Sequence, residues 1–398
     1  MHAIAEPQRF NRQHFIFHGQ GQSYFILCLV NVILSVMTLG IFIPWAWVRN
    51  RRYLAENLEL SGARFAYHAR GSAILFSFAM FLAMLAVVFC IFNFCTAEAT
   101  EATEAAVLTL LLFMFLSPLM AMQGLSFHAS MTSLNGVPFG FQCSSLRAWW
   151  VLSGMPLLMV VLMFVLFSSI GTGFWGYGYR AILLQAVLLE LVQFIGMSVI
   201  LGIVYSHWLE LIGKGASFGI YKFDINASSK RCIIISLWAM LIQVPFFLLS
   251  TAIAAIFIDL SGLFLEPSEE SSLFSGGWVM LISLVIFWMG VVCSAAYAWV
   301  SLRNHAINNL TLDNRIQFHS TLTFSAIALR LLALIFLSAL TLGLAWPWLK
   351  INLLRYLAVN TQITGDLDAL TLNPDLTMPA PTTLGQMCSS FIPMLPFL

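Results

Sequence analysis

Residues 57–68 read NLELSGARFAYH, and the fold turns on whether this stretch is a loop or a small strand pair. Gly62 tolerates the positive φ of a tight turn, and the alternation Phe65-x-Tyr67 after it suits a short strand, so the sequence predicts a β-hairpin. Three later stretches carry the same pattern: SLNGVPFGFQ at 133–142, IGKGASFGIYKFD at 212–224 and NLTLDNRIQFH at 309–319. Their turns are expected at Gly136, Gly215 and Asn314. Near the N-terminus HFIFHGQG, residues 14–21, supplies a further strand.

Between these hairpins the chain is too apolar to be a soluble globule. Hydrophobic residues make up 60% and charged residues 9% of the chain, with a mean hydropathy of +0.90, which marks a membrane protein. Runs such as SAILFSFAMFLAMLAVVFCIFN from Ser72 and CIIISLWAMLIQVPFFLLSTAIAAIFI from Cys232 reach the roughly 20 residues that cross a ~30 Å hydrocarbon layer. The first twenty residues hold no short apolar core followed by a cleavage site, so no removable signal peptide is expected.

The chain then parses into units of strand, outgoing helix, short connection, returning helix and strand. Ten segments result, near 22–38, 41–55, 72–93, 106–125, 149–170, 181–205, 232–258, 278–300, 324–340 and 344–358. The expected fold class is an all-α polytopic membrane protein, with about ten membrane segments in five related helix-pair units joined by short cytoplasmic β-hairpins. Residues 1–14 form an N-terminal segment and 366–398 a C-terminal tail. Between them lies one membrane domain of units at about 15–62, 63–136, 137–215, 216–314 and 315–365. The short strands could pair into one sheet or a closed ring, which would satisfy their edges.

Charge sets the orientation. Connections holding Arg49, Arg51, Arg52, Arg64, Arg70, Arg147, Lys214, Lys222, Lys230, Arg231, Arg303, Arg315, Lys350 and Arg355 alternate with connections holding Glu98, Glu101, Glu104, Asp259, Glu266, Glu269 and Glu270. The Lys/Arg bias places the basic set and both termini in the cytoplasm. A basic face of this kind suits lipid headgroups and gives no reason to invoke nucleic acid.

The first and last units are the short ones, and they share a longer pattern. TLGIFIPWAWVRNRRYLAEN at 38–57 returns as TLGLAWPWLKINLLRYLAVN at 341–360, with ten of twenty positions identical. Their helices have about 15 residues, roughly 22 Å at 1.5 Å per residue. Short segments interrupted by Gly or Pro at matching places in two repeats point, in transporters, to a substrate or ion site. Thr38, Gly40, Pro44, Trp45, Thr341, Gly343, Pro347 and Trp348 are therefore candidate pathway residues. The plainer reading makes TLG a helix-hairpin turn and Pro-Trp an interface anchor.

These residues, with FHGQGQSYF at 17–25, Asn31, Leu34, RRY at 51–53, Asn57 and GARFAY at 62–67, resemble the YjgN family of bacterial inner-membrane proteins. The resemblance extends over essentially the whole chain. It implies a multi-pass inner-membrane protein and brings no activity, substrate or catalytic residue with it. The second copy departs from the pattern, with Asn352 at the place of Arg49 and Asp368 at that of Phe65.

Two further groups of residues carry chemistry. Glu190 lies inside an apolar run with Gln193 one turn on, and an intramembrane carboxylate must be protonated, paired or facing water. Arg330, in FSAIALRLLALIF, is the candidate partner, either in a structural ion pair or at a polar site. His18, His68 and His319 each follow an aromatic strand residue, with Gln142 and Asp224 at the comparable place. Around a pseudo-axis these five would ring a cytoplasmic mouth able to bind a metal or pass protons; otherwise they cap strands at a wet surface.

The seven cysteines are scattered without a CxxC pair, so neither a metal site nor a disulfide framework is expected. No P-loop, HExxH or GxSxG pattern occurs, so no cofactor and no enzyme activity are expected. The function read from the sequence is a gradient-driven transporter or channel for a small solute or lipid. The alternative is a membrane scaffold that binds a partner, and the one partner class expected in either case is the lipid bilayer.

Overall fold

The computed structural model describes residues 12–98, 117–118, 120–173, 179–264 and 269–365. Its organising element is a sheet. Ten strands, β1 (Arg12–Phe17), β2 (Leu58–Leu60), β3 (Ala63–Tyr67), β4 (Thr132–Leu134), β5 (Val137–Phe141), β6 (Ala216–Phe218), β7 (Tyr221–Ile225), β8 (Leu310–Leu312), β9 (Ile316–Ser320) and β10 (Thr361–Thr364), close into an antiparallel barrel. This overturns the all-α class. The hairpins are not mere connectors of ten membrane helices but together form one closed β-barrel.

Turn chemistry explains the hairpins. Ser61 and Gly62 have φ of 54° and 82°, and Asn135 and Gly136 have 50° and 78°, the paired left-handed residues that match strand twist in a two-residue turn. Asp313 and Asn314 do the same at 50° and 53°. The third hairpin corrects an expectation: its turn is at Gly219, φ 57°, while Gly215 is the last residue of a helix. The helical run simply continues to the strand.

Inside the barrel the pleat sorts the residues. Leu60, Ala63, Leu134, Val137, Phe218, Leu312, Ile316 and Ile363 are all buried in one cluster. Against it pack Phe15, Phe65, Phe139, Phe223 and Phe318, one from each odd-numbered strand. Phe15 and Phe65 stack at 6.4 Å between centroids, Phe65 and Phe139 at 6.1 Å, and Phe223 lies 5.9 Å from Phe318. The lumen is a packed apolar core. Strands of three to six residues are far shorter than the roughly 9–11 needed to span a bilayer.

Closure falls to the first strand. β1 pairs with β10 through Arg12↔Thr364, Gln13↔Ile363 and His14↔Gln362, and with β2 through Phe15↔Leu60 to Phe17↔Leu58. A cysteine pair replacing His14 and Gln362 is expected to oxidise to a disulfide that alters migration on a denaturing gel. Cysteines at His14 and Lys222, on strands that do not pair, serve as the control; cross-linking only in that control would contradict the register.

Helices stand on the barrel in chain order: α1 (Gly21–Met37), α2 (Ile43–Glu56), α3 (Gly71–Glu98), α4 (residues 120–130), α5 (Ser145–Trp149), α6 (Met155–Gly173), α7 (Tyr179–Gly215), α8 (Ser229–Phe264), α9 (Glu269–Asn308), α10 (Phe324–Leu340) and α11 (Trp346–Val359). A π-helical turn, Trp150–Gly154, joins α5 to α6. Among the described residues four helices are long and apolar enough to cross a membrane, Ser145–Gly171, Leu188–Gly215, Ser229–Ala255 and Trp278–Asn308, and two apolar helices, α1 and α10, are shorter. The expected segment at 106–125 and the tail at 366–398 lie largely or wholly outside the described residues. Sequence neighbours pack together along the series, and α11 packs against α1.

Candidate functional site

The two short hairpins have one construction. Thr38 Oγ donates to the Leu34 carbonyl at 2.7 Å and accepts from the Phe42 N–H at 3.0 Å. Thr341 repeats this with Leu337 at 2.6 Å and Ala345 at 3.0 Å. The Gly40 and Gly343 N–H groups reach back to the Ser35 and Ser338 carbonyls at 2.7 and 2.6 Å, ending each outgoing helix in a Schellman-type turn. Pro44 and Pro347 sit buried in the first turn of the returning helices, where the missing N–H costs nothing.

The residue at each left-handed position is the informative one. Leu39 and Leu342 have φ of 51° and 52°, where glycine or asparagine is the usual choice. Both are almost fully exposed, at 95% and 94%. A leucine placed in a conformation that disfavours it, with its side chain directed outward, fits an apolar surrounding at both hairpin tips. Met37, Ile41, Leu340 and Leu344 extend the same exposed surface.

The tryptophans after the prolines are packing residues. A Cβ on Gly71 would lie 2.5 Å from the Trp45 ring, and one on Gly21 would lie 2.4 Å from that of Trp348. Each short returning helix thus seats its tryptophan on a glycine at the start of another outgoing helix, Trp45 on α3 and Trp348 on α1.

Where α11 meets α1, the first and last hairpins share a polar seam. Tyr24 is fully buried, stacks on Tyr53 at 5.4 Å and has its hydroxyl 3.4 Å from Lys350 Nζ. Lys350 also lies 4.5 Å from the centre of the Trp346 ring. Asn31 donates to Asn50 Oδ1 at 3.0 Å and to the Ala46 carbonyl at 3.3 Å, while its own Oδ1 is buried without a partner. Arg355 donates to the Gly19 carbonyl at 3.0 Å.

Similar cations recur at other junctions. Arg51 lies over the rings of Trp47, at 4.9 Å, and Tyr67, at 5.5 Å, and Tyr67 Oη is 2.9 Å from Nδ1 of buried His128. Burial keeps the Tyr67 phenol above its ordinary value, although Arg51 and Arg52 pull the other way, so it remains a neutral hydroxyl. Arg303 is buried and donates to Ser320 Oγ at 3.1 Å and Thr361 Oγ at 3.2 Å. Arg330 donates to the Ala326 carbonyl at 2.9 Å and stacks over Tyr356 at 4.0 Å. Among the described residues the ion pairs are His18–Glu59, Arg64–Glu59, Lys214–Glu210 and Arg315–Asp313. Arg51, Arg303, Arg330 and Lys350 thus sit in partly or fully buried positions, held by rings and neutral oxygens rather than by carboxylates.

Glu190 and Arg330 are not brought together. Glu190 and Gln193 are exposed on α7, which packs against α6 and α8, whereas α10 packs against α9 and α11. Asp224 and His319 follow the barrel-packed Phe223 and Phe318 within β7 and β9 and so point outward, whereas His18, His68 and Gln142 come directly after the last residues of β1, β3 and β5. All five are exposed. His18 contacts Glu59 at 2.8 Å, His68 contacts Ser133 Oγ at 3.0 Å, the Gln142 N–H meets the Gly215 carbonyl at 2.9 Å, Asp224 accepts from the Ile225 N–H at 2.9 Å, and His319 faces Gln362 across the ladder. No group of three or more His, Cys, Asp or Glu able to hold a metal occurs among the described residues.

The sequence places Lys350, Arg51 and Arg303 with the basic connections, whereas in the structure Arg303 is buried and Lys350 and Arg51 are partly buried. A usable signal existed, since Arg51 and Arg303 each stand seven residues before the first residue of the following strand, Leu58 or Leu310.

Residues 12–375 match the family model described as "Bacterial protein of unknown function (DUF898)". The chain is 38% identical to the inner membrane protein YjgN of Salmonella typhimurium over 98% of both chains. It is 35% identical to the proteins of that name from Escherichia coli O157:H7 and Escherichia coli K12, over 96% of each chain. No solved structure matches it. The chain belongs to the DUF898 family.

Proposed function

We propose that this DUF898 protein is a gradient-driven inner-membrane transporter for a small anionic solute or lipid, entering beside the two short hairpins. The observation that supports it is the set of cations, Lys350 foremost, held by aromatic rings and neutral oxygens without a carboxylate. A cation within membrane-embedded helices is costly and marks an ion or substrate route. The packed barrel core supports a carrier over an open pore, because a continuous channel would have to pass through the phenylalanine layer. In this reading the chain carries five related units, the barrel faces the cytoplasm with the Lys/Arg-rich connections, and the hairpin tips end within the bilayer.

The test is translocation of a fluorescent anionic lipid, and flux of a small organic anion, in proteoliposomes. Lys350→Met is expected to lower the transported species' rate about tenfold or more, the size of a lost charge-assisted contact. Transport of neither probe, or rates unchanged by Lys350→Met, would count against the reading. A membrane scaffold is the second reading, supported by the 69% exposure of Ile220 at the β6–β7 turn. Its test is a partner whose co-purification is lost in Ile220→Asp.

A further inference from the structure

We infer that the groove between α10 and α11 is a binding site for the phosphate of an anionic phospholipid, with Arg330 as its recognition residue. A cavity of about 270 Å³ lies there, lined by Leu329, Arg330, Ala333, Leu349 and Asn352. That is below the roughly 300–1,000 Å³ of a site enclosing a drug-sized ligand. It suits one headgroup rather than a whole lipid.

The guanidinium is built into place. Its stack on Tyr356 at 4.0 Å fixes its plane, and Tyr356 is itself anchored by Thr323, whose N–H and Oγ lie 3.3 and 3.0 Å from the phenol oxygen. One Arg330 nitrogen is spent on the Ala326 carbonyl, and its Nε is buried without a hydrogen-bond partner. With no ion pair among the described residues, the group brings spare donors into a groove otherwise lined by Leu329, Ala333, Leu349 and the neutral amide of Asn352. A planar fork of donors is suited to a phosphate.

The surroundings choose a lipid over a soluble anion. Leu329 is 69% exposed, and Phe336 and Leu340, seven and eleven residues on and so on the same face of α10, are exposed too, a track for acyl chains beside the cavity. The first hairpin does not offer the same site, because Leu27 stands where α10 has Arg330 and Arg49 where α11 has Asn352. The inference does not depend on transport, since lipid retention needs no gradient.

The experiment is native mass spectrometry of the full chain in detergent, titrated with phosphatidylglycerol or phosphatidylcholine. Wild type is expected to retain phosphatidylglycerol in preference to phosphatidylcholine, and Arg330→Ala to lose that retention by about tenfold or more. Ala333→Trp fills the cavity while keeping the arginine, and is expected to lose it as well. Equal retention of the two lipids, or undiminished phosphatidylglycerol binding in Ala333→Trp and in Arg330→Ala, would overturn the assignment. Displacement of the lipid by millimolar inorganic phosphate would also overturn it, in favour of a site for free anions.

Discussion

Replacing Leu39 and Leu342 together by aspartate is expected to remove most of the protein from the membrane. Both leucines occupy left-handed positions at hairpin tips and are almost wholly exposed. In water the exchange would help, since aspartate tolerates this conformation better than leucine and a left-handed leucine costs roughly 1–2 kcal/mol. Within hydrocarbon it would cost about 2.5–3.5 kcal/mol for each aspartate on insertion scales. The two environments therefore predict opposite signs. Membrane levels and thermal stability in nanodiscs decide between them, and a double variant more stable than the wild type would place both tips in water.

Gly202→Val is expected to prevent α7 and α8 from packing. A Cβ at Gly202 would lie 2.4 Å from the Cα and 2.6 Å from the backbone nitrogen of Ile233, and a backbone cannot rotate aside as a side chain can. Ser198, Gly202 and Ser206 recur at four-residue spacing on this face, with Ser206 Oγ 2.9 Å from Ser229 Oγ and Ser198 Oγ 3.2 Å from Met240 Sδ. Small residues at this interval let membrane helices approach closely. Overpacking of such a contact typically costs about 1–3 kcal/mol and more where main chain is displaced. Gly171→Ala is the matched control, because nothing lies within 4 Å of a Cβ there. Equal melting temperatures for Gly202→Val and the wild type would show that the two helices are not held at this contact.

Much of the architecture is legible locally and little of it globally. The alternation in FAY and FGF, and the turn residues Gly62, Gly136 and Asn314, mark hairpins because strand period and left-handed φ are properties of a few adjacent residues. Gly215 misled because a glycine can end a helix as well as turn a strand, and only the continuing helix of α7 distinguishes the two. The barrel itself depends on pairing between residues as distant as Arg12 and Thr364, which no local pattern specifies. The same limit accounts for Glu190 and Arg330: two ionisable groups in apolar runs invite pairing, yet their helices have other neighbours. The five aromatics that precede the polar residues are not equivalent positions: Phe17, Tyr67 and Phe141 end β1, β3 and β5, whereas Phe223 and Phe318 lie inside β7 and β9. The phenylalanines packed within the barrel are instead Phe15, Phe65, Phe139, Phe223 and Phe318.

Closure by β1 also has a temporal side. The ribosome delivers β10 roughly 350 residues after β1, on the order of half a minute at bacterial elongation rates of about 5–20 residues per second. Throughout that interval β1 presents a backbone edge without its final partner, the kind of edge that recruits other chains. Closure therefore waits for β10 to meet β1, and a message cut short before residue 361 yields a protein that has every preceding helix and still cannot shut its ring.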